Sequence, residues 1–167
     1  MSLEPGFGVF ASHRGRHAVL AALGPRMLAL SRDRAAGAHP YLITPEHTAT
    51  AREILGAGPL LAPEVKVVLD TDPERARTAA RGHLAIYLGM PNYTGNLLRL
   101  GFTEDDLRDG GSDRLVDALI AWGDEETIAA RVQEHLDAGA DHVCVQFIHD
   151  LDGLPIEQWR RMAEVLL

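Results

Sequence analysis

Ala18-Val19-Leu20-Ala21-Ala22-Leu23-Gly24-Pro25-Arg26-Met27 is the stretch whose reading decides the fold. A short apolar run of this kind reads as a strand buried on both faces or as a buried helix segment. The Gly24-Pro25 stop and the new pattern behind it favour the strand. Proline suits the first helical position, because its fixed φ and missing N–H cost nothing there. Met27, Leu28, Leu30 and Ala35 then recur on one helical face, with Arg26, Arg32, Asp33 and Arg34 mostly outside it, and Gly37 is expected to end the helix.

The same grammar repeats downstream. Ala38 to Ile43 reads as a second strand, and Thr44-Pro45-Glu46-His47 as a capped helix start whose buried face is Ala51, Ile54 and Leu55, ended by Gly56. Pro59 and Pro63 bracket an expected loop. Val65 to Leu69 is a third, β-branched strand, and Asp72-Pro73-Glu74 opens a long helix to about Leu88. From Gly89 to Gly123 the pattern breaks into short helical pieces, read as an insertion without a strand. Asp124 caps a helix with Ile128, Val132 and Leu136 inward, Val143 to Ile148 is a fourth strand, and Ile156, Trp159, Met162, Ala163 and Leu166 share one side of a last helix. Four strand–helix repeats in alternation predict a parallel sheet with right-handed crossovers.

Composition bounds the function. The chain has 167 residues, 46% of them apolar and 24% charged, which fits one globular domain. It falls short of the roughly 200 residues that a complete (β/α)8 barrel takes. A net charge of −8 and a pI near 5.4 argue against a nucleic-acid partner. No apolar run approaches the roughly 18 residues of a membrane span, and a single cysteine, Cys144, makes a reducing cytoplasm the default.

Four local features have chemical potential. The turn Gly24-Pro25-Arg26-Met27 sits between a strand end and a helix start, where free N–H groups meet anions. His39, Tyr41 and His47 cluster near the second strand's end, but no carboxylate stands at a familiar ligand spacing, so no metal is assigned. Ser12 to His17 is basic but precedes the first strand, and reads as a solvated loop. Cys144 reads as a small buried hydrophobe sharing a face with Gln146. Glu104-Asp105-Asp106 and Asp124-Glu125-Glu126 read as helix starts favoured by the helix dipole.

Taken in order, Ala21 to Met27, Gly37-Ala38-His39-Pro40-Tyr41, Thr44 to Thr48, Leu88-Gly89-Met90-Pro91-Asn92-Tyr93, Asp117 to Asp124 and Ala138 to Val143 form a recognisable set. The set resembles the luciferase-like monooxygenase family, and within it the branch of coenzyme F420-dependent oxidoreductases. The resemblance runs over residues 18–148 and leaves 1–17 unmatched. It implies that the chain is one partial-barrel domain over 1–167: the C-terminal half of a (β/α)8 TIM barrel, four parallel βα units with a helical insertion over 89–123. It further implies hydride transfer between F420 and an organic substrate, with FMN as the alternative cofactor and a cofactor-free truncated chain as the third case. The positions that match the family's cofactor turn are Gly24, Pro25, Arg26 and Met27, with His39 and Tyr41 as second-choice lining residues. No catalytic residue is assigned, because much of the family's site comes from the first half of the barrel. The rival expectation is a non-catalytic half-barrel or assembly subunit. Two unpaired edges and an apolar inner face would then call for a homodimer or for a missing N-terminal half.

Overall fold

The computed structural model describes residues 18–149 and 153–167; the basic cluster at Ser12–His17 lies outside them. The described chain runs β1 (Val19–Leu20), α1 (Pro25–Arg34), β2 (Gly37–Ala38), α2 (Pro45–Leu55), β3 (Leu60–Leu61), β4 (Glu64–Val68), α3 (Pro73–Leu88), α4 (Pro91–Arg99), α5 (Asp113–Leu119), β5 (Ile120–Trp122), α6 (Glu125–Asp137), β6 (Cys144–Phe147) and α7 (Ile156–Leu166). It is an α/β fold in which every paired strand is parallel. The strands form two three-stranded sheets, ordered β1-β2-β3 and β5-β4-β6.

The helix starts expected at Pro25, Thr44, Asp72 and Asp124 are present, each for the expected reason. Pro25, Pro45 and Pro73 stand at the first helical turn. Thr44 accepts from the His47 amide, Asp72 from that of Arg75 and Asp124 from that of Thr127. Gly56, at φ 73°, closes α2 in a conformation that favours glycine.

Several expectations are corrected. The segment between Pro59 and Pro63 is not simply a loop: β3 pairs with β2, and the Ala62 and Glu64 amides go on donating to Ala38 and Pro40. Residues 60–68 therefore act as one bent strand that joins the two sheets. Its neighbour on one side changes from β2 to β5, while β6 holds the other side. The 89–123 segment does carry a strand, β5, which three residues of β4 recruit. Gly37 does not end α1, which is capped at Ala35; it lies in β2, where a Cβ would fall 2.1 Å from the Leu60 carbonyl oxygen. The second strand is only two residues long, with one further bridge from Tyr41 to Glu64. Residues 104–106 start no helix. Asp106 instead accepts from Thr103, Ser112 and Arg114, and the Ser112 hydroxyl leads the contacts that pull its carboxyl down to about 2.

Three apolar clusters build the core. Ala22, Leu28, Ala38, Ala51, Leu55 and Leu61 join the first sheet to α1 and α2. Val65, Val67, Ala121, Ile128, Phe147 and Met162 join the second sheet to α6 and α7. The largest sets Leu42, Val68 and Ile120 against α3, α4 and α5 through residues such as Leu84, Leu97 and Leu115. α1 buries Leu28 and Ser31 but leaves Met27 and Leu30 exposed, and α7 buries only Met162 of its apolar side. Cys144 is exposed and not buried, because β6 forms an edge among the described residues. On α6 the buried third position is His135 where Leu136 was expected.

His135 pins α6 to α2, with Nδ1 2.8 Å from the Thr48 hydroxyl. Burial, then the neighbouring Arg131 charge, pushes its imidazole down to about 4, against a weaker upward pull from Glu46. The folded state thus binds this proton less readily than the unfolded chain. Stability is complete above the ordinary histidine value near 6.5 and falls as pH drops toward 4. A loss of at most about 3 kcal/mol over that window is expected. Urea titrations at stepped pH would show it, and a His135→Gln chain should have a flatter profile.

Candidate functional site

Alternation along the strands sorts residues onto two faces. Leu61, Val65 and Val67 point to the helices on one side. Register puts Val19, Gly37 and Leu60 in one row on the opposite face, then Glu64 beside Cys144 and Lys66 beside Gln146. This inner face was expected to be apolar. Instead it carries a buried ion pair: Glu64 and Lys66 are 9% and 2% exposed.

Lys66, the chain's only lysine, is held from three directions. Its Nζ lies 2.7 Å from Glu64 Oε1 and donates to Gln146 Oε1. It also stands 4.8 Å from the centre of the Tyr41 ring. Glu64 Oε1 has no hydrogen-bond partner of good geometry, so charge alone holds it to Lys66.

All three tyrosines of the protein roof this pair. Tyr41, Tyr87 and Tyr93 meet edge to face with centroids 5.1–5.7 Å apart, an arrangement that aromatic quadrupoles favour. The Tyr41 and Tyr87 hydroxyls are hydrogen-bonded to each other. Burial, then the Tyr87 hydroxyl, pushes the Tyr41 phenol well above its usual range. His83 stacks on Tyr87 at 5.2 Å, and burial followed by the Lys66 charge pulls its imidazole down. The cluster therefore offers neutral hydroxyls and aromatic faces, with no group set up as a nucleophile.

Tyr41 and His39 also line a recess of about 110 Å³ with Ala21, Ala22, Leu23, Pro40, Asn92 and Tyr93. His39 is tied down, its Nδ1 donating to the Ala62 carbonyl at 2.6 Å. His47 is tied separately, its Nε2 donating to the Leu23 carbonyl at 2.7 Å. Burial pulls its imidazole down, against that hydrogen bond. Among the described residues no group of three or more His, Cys, Asp or Glu is placed to hold a metal.

The turn at Gly24, Pro25, Arg26 and Met27 borders this recess through Leu23 but does not line it. The Gly24 carbonyl accepts from the Met27 and Leu28 amides. The Gly24 and Arg26 amides have no acceptor among the described residues. Arg26 and Met27 are exposed. A Cβ on Gly24 would meet only Arg99 Nη2, at 3.6 Å. The structure thus places the six expected residues along one edge, His39 and Tyr41 in the recess and the other four beside it.

Sequence reasoning missed Glu64, Lys66, Tyr87, Tyr93, His83 and Arg99. A signal for the first two existed: two opposite charges at i and i+2 in an otherwise β-branched strand must share a face. For the aromatic and arginine partners on α3 and α4 no local signal existed.

A larger open cleft of about 630 Å³ flanks β5 and the start of α6, lined by residues including Thr71, Asp117, Trp122, Asp124 and Arg131. Its polar walls are already committed. Arg77 grips Asp117 with two hydrogen bonds, Trp122 Nε1 donates to the same carboxylate, and Arg131 donates to the Ala118 carbonyl.

With this geometry in hand, the chain can be set beside known proteins. It is similar to the coenzyme F420-dependent tetrahydromethanopterin reductase from Methanopyrus kandleri, with 22% identity and a TM-score of 0.58 over 76% of this chain and 43% of that one. It is similar to an F420-dependent secondary alcohol dehydrogenase in complex with an F420–acetone adduct, with 13% identity and a TM-score of 0.54 over 76% and 42%. It is also similar to apo-MsnO8, with 18% identity and a TM-score of 0.52 over 93% and 52%. At these identities the likeness shows a shared α/β fold. The chain spans about half or less of the length of each of these structures. No family model matches it, and no curated protein matches it in sequence. No helix among the described residues is long and apolar enough to cross a membrane.

Proposed function

We propose that this chain is the cofactor-binding C-terminal portion of an F420- or flavin-dependent oxidoreductase of the luciferase-like kind, acting on a small organic substrate. The supporting observation is the pairing of the fold with the Gly24–Met27 turn, whose two free amides and exposed arginine suit a phosphate-bearing tail. Two of the structurally similar proteins are F420-dependent enzymes, which agrees with this reading.

The fit differs between the two ends of such a cofactor. A phosphate suits the turn. A recess of about 110 Å³ is too small to enclose a tricyclic ring, since ligand pockets run to roughly 300 Å³ or more. His39 and Tyr41 would therefore line only one wall of the ring's site. The cofactor supplies the hydride chemistry, and the protein binds and orients it. In this chain Gly24 and Arg26 hold charge, Tyr41 presents a neutral hydroxyl and ring, and the α3–α4 roof keeps water from the Lys66–Glu64 pair. The remaining walls would come from whatever covers the exposed inner-face residues Val19, Leu60, Cys144 and Gln146: a second copy of the chain or an N-terminal half-barrel.

The rival reading, a non-catalytic half-barrel, draws support from how side chains of α3, α4 and α5 fill the space over Val68 and Leu42. Titrating the purified protein with F420 and with FMN separates the two. The oxidoreductase reading expects binding that Arg26→Gln weakens about tenfold or more. Absence of binding to either cofactor would leave the rival standing.

A further inference from the structure

We propose that two copies of this chain close on each other edge to edge, with α7 and β6 of each copy seated against α1 and β1 of the other. The pairing does not depend on cofactor binding, and it selects a second copy over a separate half-barrel as the cover for the inner face.

The run of strands β1, β2, 60–68 and β6 is bounded by β1 and β6 among the described residues. The Cys144 and Ile148 amides donate to Pro63 and Val67. By alternation, the Val145 and Phe147 amides point away from β4 along a bare edge. Beside each bounding strand stands a helix with one packed flank and one bare flank. α1 packs on α2, and Arg32 on that flank reaches the Ile54 carbonyl. Met27, Leu30 and Arg34 recur at helical spacing on the opposite flank, and all three are exposed. α7 packs on α6, and Arg161 on that flank pairs with Glu125. Ile156, Trp159, Ala163 and Leu166 recur on the opposite flank, again all exposed. An apolar stripe three turns long is what a helix carries when it packs on another element.

These two bare edges lie at opposite ends of one chain and complement each other. Setting α7 against α1 and β6 against β1 continues the parallel order that already joins α1 and β1 to α2 and β2. A two-fold axis makes the contact twice and leaves neither edge over. Charge agrees with this pairing. Arg34 and Glu164 stand in the last turns of α1 and α7, and neither has an oppositely charged partner among the described residues. Parallel packing brings those turns to one level and lets the two side chains meet across the contact. Each chain spans about half or less of the length of the similar structures, and two copies supply that length. Closure sets Val19 of one copy beside Cys144 of the other and covers the open side of the Lys66–Glu64 pair.

Sedimentation equilibrium and crosslinking of the whole chain test this. Wild type is expected to be a dimer at tens of micromolar. Trp159→Glu and Met27→Glu, at positions already exposed in the single chain, should each weaken the dimer about a hundredfold with far-UV circular dichroism unchanged. Arg34→Glu and Glu164→Arg should each weaken it about tenfold, and the double exchange should recover most of the loss. Cys144 is the chain's only cysteine, so Val19→Cys adds one defined partner thiol. A short bismaleimide should join position 19 of one copy to Cys144 of the other, as peptide mapping reads, and leave wild type unlinked. A monomeric wild type, a dimer indifferent to Trp159→Glu, or a wild type linked from Cys144 to Cys144 overturns the proposal. So does the lack of a link between unlike positions, or a chain that pairs only with a separate half-barrel.

Discussion

Replacing Lys66 by Met is expected to cost about 3–5 kcal/mol of folding stability, because it leaves the Glu64 carboxylate buried without its counter-charge. The ammonium is 2% exposed and contacts Glu64, Gln146 and the Tyr41 ring. Its loss removes all three contacts at once. Glu64→Gln should be costly for the same reason from the other side, by stranding the lysine. The double substitution should recover much of the loss, because no lone charge then remains in the interior. Urea unfolding of the four proteins measures this coupling directly. A loss below about 1 kcal/mol for Lys66→Met would mean that water reaches the pair and that the roof of α3 and α4 is open in solution.

Gly37→Ala is expected to be as damaging, by about 3–5 kcal/mol, for a steric reason. The added Cβ would lie 2.1 Å from the Leu60 carbonyl oxygen and 2.7 Å from the Leu60 Cβ. The nearest obstacle is backbone and cannot rotate away. Moving it breaks the Leu60-to-Ala36 and Ala62-to-Ala38 hydrogen bonds that join β2 to the bent strand. Gly58→Ala serves as the control, since nothing lies within 4 Å of a Cβ there, and its effect should stay within about 0.5 kcal/mol. Thermal or urea unfolding gives both values. Near-equal stabilities for the two variants would show that β2 and β3 can separate at little cost.

These two positions also show where sequence reading succeeds and where it stops. Gly37 was legible as a glycine with a purpose, but the purpose read from local pattern, ending α1, was wrong. Its real constraint is Leu60, twenty-three residues away, and no periodicity within the segment carries that information. Lys66 was legible as the chain's only lysine in a β-branched strand. Its burial was not, because that depends on α3 and α4 folding back over the inner face.

The same division holds across the fold. Helix starts were readable because capping and proline geometry act within about four residues. The parallel α/β alternation was readable because strand and helix periods differ. The strands β3 and β5 escaped notice. Each is two or three residues long, and β3 exists because β2 lends it hydrogen-bond partners, β5 because β4 does. Cys144 likewise sits in an apolar run, yet whether that run is central or marginal depends on which strands lie beside it.

The candidate site divides in the same way. Sequence by itself determined the Gly24-Pro25 turn, its neighbouring arginine and the residue types His39 and Tyr41 near a strand end, since these follow from local order along the chain. Only the tertiary structure decided that three tyrosines converge over a buried ion pair and that Arg99 reaches Gly24. Tyr41 lies 25 positions from Lys66 and 52 from Tyr93, and Gly24 lies 75 from Arg99; they are brought together when the helices after β4 pack over the inner face. Local chemistry sets what each segment can become, and long-range packing sets which polar groups end up facing one another.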